Sequence, residues 1–257
     1  MTTDSMILQT TLPYDPFAPK PLPRIAPLDP ADWLMRDECA AAQIGLRRQL
    51  MAEHGDKVVR CAPSAAEAAG ELLEAVRERL YPGQGDEVEL PDGERFYVDA
   101  ADPMRSLGAL AQQDFCVLQK PEGSDEHVLT AATLCFPASW HLSEKFMRPL
   151  TQIHVPVPEY DAAVAKRVQR LFDGVNVGRP MWRFNALWYD NADLYHPDRD
   201  PVAPHLERSQ AGSYLRSELQ SIVRLPRTGA VVFSIHTRVV ARAQVLAQFA
   251  PDLTAAG

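Results

Sequence analysis

The residues best able to do chemistry lie together between Leu134 and Pro158. Trp140 and His141 are followed by Glu144 and Lys145, and His154 stands just before Pro156 and Pro158. Ser143 as an N-cap predicts a helix running to about Ile153, kinked or divided at Pro149. Pro156 disfavours helix at Val155, so His154 is expected at or just past the last turn. With Phe146, Leu150 and Ile153 on neighbouring turns, that imidazole is placed like the axial ligand of a buried haem. The plain alternative is a histidine that caps or hydrogen-bonds the helix end.

Two further groups carry candidate chemistry. Arg216 and Glu218 are two residues apart, so on a strand they point to one face. If that face is covered, the charges must pair with each other or await a ligand; if it is open, they are a solvated surface. His205, Glu207 and His236 follow the order of a site with two histidines and one carboxylate for iron. There is no GxGxxG, Walker A or GxSxG pattern, so phosphate-cradling loops and the nucleophile elbow of a serine hydrolase are excluded.

The elements expected to position these residues change character along the chain. Prolines 13, 16, 19, 21, 23 and 27 make residues 1–28 an extended arm, strapped over the surface by Leu12, Tyr14 and Phe17. Asp29 followed by Pro30 opens a helix expected to run through Leu34, Ala41, Ile44 and Leu50 to about His54, where Gly55 stops it. Ser64 and Glu67 form a capping box for a second helix, with Ala68, Leu72, Leu73, Val76 and Leu80 on one stripe. Residues 29–83 thus make a helical extension.

From Glu87 the apolar period shifts. Val88, Leu90, Phe96 and Val98 flank Pro91-Asp92-Gly93 as a hairpin, and residues 115–118 and 128–135 read as buried strands. A helix over 161–172 follows, then a strand over 181–188, a polar loop over 190–209, and paired strands over 214–225 and 230–240. A helix over 213–224 competes, because Leu215, Leu219 and Ile222 also fit a period of 3.6. The fold class is α+β: helices first, then a mostly antiparallel sheet with helices inserted midway, and a tail over 246–257.

A length of 257 residues suffices for a substantial core in one domain. The net charge of −8, with no long basic run, argues against a nucleic-acid backbone binder. Cys39, Cys61, Cys116 and Cys135 are widely spaced and form no CxxC, which excludes a zinc ribbon or an iron–sulfur cluster within the chain. They read as reduced, buried thiols of a cytoplasmic protein. No apolar run is long enough for a membrane span, and no signal peptide is evident.

The run FPASWHLSEKFMRPLTQIHVPVPEY (136–160) resembles the central signature of the haem-dependent oxidative N-demethylase α-subunit family. So do ELLEAVRERLYP (71–82), QDFCVL (113–118), RFN (183–185) and LRSELQSIVRLPRTGAVVFSIHT (215–237), in the family's order. Two positions depart from the family pattern: Ala186 stands where tryptophan is frequent, and Leu219 where a second arginine is. Both bear on the substrate more than on the fold.

The resemblance implies a PAS-like haem-binding core, over residues 84–245, that carries haem b. It implies oxidation of a small secondary amine such as dimethylamine by O₂, a monooxygenase-type N-demethylation that releases formaldehyde. Electrons would come from a reductase partner carrying FMN, a 2Fe–2S centre and NADPH. It makes His154 the preferred axial ligand, with His141 and His236 in reserve; by charge alone, Arg183 and Lys145 are the candidates for the haem propionates, and Trp140 is a further cofactor-binding candidate. Glu218 would hold the amine, and Arg216 would stabilise charge on reduced oxygen. A haem-based gas sensor without turnover is the alternative from another class.

Overall fold

Helical stripes dominate the first half of the chain and alternating patterns the second, and the fold packs one against the other. A computed structural model describes residues 6–18, 25–153, 162–198 and 212–249. In chain order the elements are β1 (Ala26–Pro27), α1 (Ala40–His54), β2 (Val59–Cys61), α2 (Ala66–Leu80), β3 (Glu87–Glu89), β4 (Arg95–Tyr97) and α3 (Pro103–Leu110). Then come β5 (Asp114–Gln119), β6 (Val128–Thr133), α4 (Leu142–Lys145), α5 (Leu150–Ile153) and α6 (Ala162–Gly174). The chain closes with β7 (Met181–Tyr189), β8 (Tyr214–Arg224), β9 (Val231–Ala241) and α7 (Arg242–Phe249). Seven strands form one sheet in the order β1-β7-β8-β9-β5-β6-β2, and β3 and β4 form a separate hairpin. Every paired strand is antiparallel to its neighbour, so the α+β class holds.

Alternation assigns the sheet two faces, and both are covered. On one, Phe115, Val117, Ala131 and Val232 pack with Ile44, Leu50, Leu72, Val76 and Leu107 of α1–α3. Burying each such side chain contributes about 1.5–3 kcal/mol. Gly108 of α3 sits so close that a Cβ there would lie 2.5 Å from Met51 Sδ and 2.7 Å from Thr133 Cγ2. On the other face, Cys116, Leu118, Ala132, Ile222 and Val231 pack with Leu142 of α4, Leu150 of α5 and Phe172 near the end of α6. Both faces being buried explains why β5 reads as a continuous apolar run rather than an alternating one.

The strand over 214–224 is extended, which removes the competing helix: tertiary pairing with β7 and β9 outweighs a stripe that fits either period. Other expectations are corrected. The helix expected from Pro30 is only a single 3₁₀ turn, Pro30–Asp32, capped by Asp29, and α1 begins at Ala40. The intervening segment is diverted because Asp37 turns its side chain to the sheet, where His236 and Arg238 bind it. The Ser64–Glu67 capping box does not form; a 3₁₀ turn opened by Pro63 leads into α2 instead.

The helix expected from Ser143 to Ile153 is two single turns, α4 and α5, parted at Met147, whose φ of 60° no helix admits. Helices α3 and α7 were not expected; Asp102 caps α3 by accepting from Arg105 N at 3.2 Å, with Pro103 at its first position. Cys61 is exposed at the sheet edge, whereas Cys39, Cys116 and Cys135 are buried. Among the described residues, no helix is long and apolar enough to cross a membrane.

Candidate functional site

Alternation along three neighbouring strands builds a polar patch on the face that carries α4–α6. Asn185, Glu218 and Thr237 pair in one row across β7, β8 and β9. Arg183 and Gln220 pair in the row on one side, and Leu187, Arg216 and Val239 in the row on the other. The pairing puts Arg216 and Glu218 on one face, as expected from their spacing, and Arg183 projects from that same face.

Arg216 is buried, and its guanidinium is largely occupied. Nη2 donates to the carbonyls of Phe136 (2.7 Å) and Pro137 (3.3 Å), and Nη1 to those of Asp193 (3.2 Å) and Leu194 (3.1 Å). It therefore clamps the chain beyond β6 and the chain beyond β7 onto the sheet. Only Nε is left for Glu218 Oε1, at 3.5 Å, the outer limit of a useful hydrogen bond.

Glu218 is correspondingly under-supplied. Its side chain is 11% exposed, yet among the described residues, beyond the long contact from Arg216, it accepts only from Gln220 Nε2, at 3.2 Å. A carboxylate offers about four lone-pair sites, so acceptor capacity remains in a buried place, where leaving it unused is costly. Thr237 in the same row is fully buried, and among the described residues its Oγ1 also lacks a hydrogen-bond partner.

The clamped turn presents the next candidates. Ser139 has φ 60°, a left-handed conformation that a non-glycine residue adopts only when its surroundings enforce it, and its N–H donates to His196 O at 2.7 Å. Beyond it, Trp140 packs against the apolar cluster with Phe146, Ile153, Met181 and Phe233, and Lys145 Nζ lies 3.9 Å from the Trp140 ring centroid. His141, at the start of α4, approaches Asp198 Oδ1 through Nε2 at 2.9 Å.

His154, Pro156 and Pro158 lie outside the described residues, as do His205 and Glu207; the described chain halts at Ile153 and resumes at Ala162. His236 faces away from this patch. On the α1–α3 side its Nε2 donates to Asp37 Oδ2 (3.1 Å), while Nδ1 accepts from Gln113 Nε2 (3.1 Å). Burial holds its pKa below the ordinary histidine value, and with both nitrogens engaged it offers no lone pair to a metal. Among the described residues, no group of three or more metal-ligating side chains exists.

Asp37 is a residue that sequence reasoning missed. It accepts from His236, Arg238 Nε (3.2 Å), Gln112 Nε2 (2.7 Å), Cys39 N (3.0 Å) and Gln9 Nε2 (3.2 Å). Its neighbours in sequence have no period that would announce it, and its partners are distant in the chain.

Residue types able to hold a haem lie on this sheet face. Trp140, Phe146, Ile153, Met181 and Phe233 each pack against the apolar cluster there, Arg183 projects from the same face, and Lys145 lies beside Trp140. Apolar surface and cations are the residue types that a macrocycle with two carboxylates uses.

A family model described as "Haem-dependent oxidative N-demethylase, alpha subunit-like" matches residues 24–256. The chain belongs to that family.

Proposed function

We propose that, within this family, the chain is the haem b-binding catalytic subunit that oxidatively demethylates a small secondary amine such as dimethylamine. The overall change consumes one amine, one O₂, two electrons and two protons, and yields the primary amine, formaldehyde and water. The observation that carries the reading is Glu218: a buried carboxylate with two long contacts and unused acceptor capacity. A protonated secondary amine supplies two N–H donors and a positive charge, the complement of that vacancy.

In this reading the haem supplies the iron that activates O₂. Glu218 holds the ammonium group and so fixes which methyl group faces the reaction. Arg216 would set a positive potential beside Glu218, suited to negative charge developing on oxygen. Its grip on the Phe136–Pro137 and Asp193–Leu194 carbonyls also keeps the covering segments closed against water. His154 would hold the iron, as the family resemblance implies; of the histidines in reserve, His236 is committed to Asp37 on the opposite face. Lys145 and Arg183 would pair with the propionates beside Trp140. We place this chemistry in a PAS-like core over residues 84–245, in the cytoplasm, with electrons delivered by a reductase partner bearing FMN, a 2Fe–2S centre and NADPH.

The test is formaldehyde release from dimethylamine by the purified chain given an electron donor. Glu218→Gln is expected to raise the KM for the amine about tenfold or more, since a hydrogen bond to a charged group contributes about 1.5–3 kcal/mol. His154→Ala is expected to lose the Soret band, or to show an altered one that added imidazole restores. A wild-type chain that binds haem and CO but releases no formaldehyde with a competent donor is a gas-binding module, and the reading fails.

A further inference from the structure

At the other end of the sheet, away from the Glu218 patch, lies a cavity of about 320 Å³ lined by Gln119, Lys120, His127, Asp173, Arg224 and Thr228–Ala230. His127, just before β6, is 3% exposed. Gln169 on α6 fixes its tautomer. The amide Oε1 accepts from His127 N (3.1 Å), so the orientation of that amide is settled, and its Nε2 must donate to His127 Nδ1 (2.7 Å) and to Asp173 Oδ1 (3.1 Å). With Nδ1 an acceptor, the ring proton sits on Nε2. Among the described residues that atom has no hydrogen-bond partner, and His127 lines the cavity. Burial holds the imidazole pKa below its ordinary value, which keeps it in this neutral form.

The charges around the cavity have a positive balance. Among the described residues, Lys120 Nζ has one polar contact, Asp173 Oδ1 at 3.1 Å, and Asp173 is the one carboxylate in the lining. Arg224 donates to the carbonyls of Phe172, Val175 and Gly229, each at 2.6 Å, and to that of Asp173 at 3.3 Å. It thereby satisfies the C-terminal carbonyls of α6, whose negative helix end would otherwise oppose an anion.

We propose that this cavity is a second ligand site, taking the oxyanion group of a small phosphorylated or carboxylated molecule. The His127 Nε2–H and the Lys120 ammonium are its donors. Gln169 is the positioning residue that keeps the imidazole presenting a proton rather than a lone pair. The backbone of His127 also accepts from Leu150 N at 3.0 Å, so the site is tied directly to the start of α5.

Calorimetric titration of the full-length protein with inorganic phosphate and, separately, with acetate tests this. Saturable binding of one or both anions is expected, the preferred one naming phosphate or carboxylate as the natural group. Lys120→Ala should weaken it at least tenfold, while Arg179→Ala, a cation outside this cavity, should leave it unchanged. His127→Phe should abolish it, and because Lys120 is partly exposed, Lys120→Ala decides the matter even if the His127 variant misfolds. Nitrogen NMR of the imidazole should show Nε2 protonated at neutral pH, with its resonance moving when the anion is added. Absence of saturable binding for both anions, equal binding by Lys120→Ala, or a proton found on Nδ1 would each overturn the proposal.

Discussion

Asp37 and Glu218 are buried to nearly the same degree, 12% and 11% exposed at the side chain, on opposite faces of one pair of strands. Asp37 is surrounded by donors from Gln9, Cys39, Gln112, His236 and Arg238. Those donors hold its pKa well below the ordinary carboxylate range in spite of burial. Glu218 has two long contacts and an arginine that is spent elsewhere. Burial alone therefore does not mark a site. The mark is a buried charge whose partners have not all been supplied by the chain itself.

The largest effect should come from breaking the saturated side. Asp37→Ala strands Arg238 and His236 without their anion, and about 3–5 kcal/mol of stability should be lost, read from urea denaturation. Asp37 also predicts a pH signature. Its folded pKa is depressed from 3.8, so its contribution is fully present above that ordinary value and is lost only as pH falls through the lower, folded one. Asp37→Asn should accordingly flatten the acid limb of the stability profile, while neutral-pH differences persist. An unchanged acid limb would show that Asp37 is not ionised in the folded protein.

Glu218→Gln should behave oppositely, with stability within about 1 kcal/mol of wild type and the effect confined to amine binding. If it destabilised the protein as Asp37→Ala does, the contrast between the faces would collapse. Between these two in its effect on stability is Gly212→Ala, just before β8. Its Cβ would lie 2.7 Å from both N and O of Tyr189, backbone that cannot move without shifting β7, and about 1–3 kcal/mol should be lost.

The smallest effect separates the cysteines. Burial pushes Cys116 and Cys135 up to about 12 and Cys39 up to about 11, whereas Cys61 is exposed. At pH 8 a thiol reagent should modify Cys61 first and the others only on unfolding. Because the folded thiols keep protons that the unfolded chain releases near pH 9, stability should fall as pH rises from there toward 12.

Much of this architecture was legible from periodicity. The hairpin over β3 and β4, the strands β5–β9 and the common face of Arg216 and Glu218 all follow from residues spaced by two. What was not legible depends on partners distant in sequence. The late start of α1 follows from Asp37 leaving its helix for His236, and the occupied guanidinium of Arg216 follows from carbonyls at Phe136 and Asp193. A charge pattern shows where a side chain points and says nothing about how many acceptors meet it there. The 143–153 stretch divides over Phe146–Pro149, as Pro149 leads one to expect; what was not legible is that Leu129 O accepts from the Met147 N–H and draws that residue to β6.

The order of strands in the sheet has a consequence for how the protein must be made. β5 lies between β6, its neighbour in sequence, and β9, which is synthesised after β7, β8 and α4–α6. The first half of the chain can form its helices and the β5–β6 pair, but the edge of β5 stays open until Val231–Ala241 has been made. Pairing of such sequence-distant strands is slow, and an exposed apolar edge invites association with other chains in the meantime. Yield from expression should therefore depend more on temperature and chaperone supply during translation than on the equilibrium stability of the finished fold.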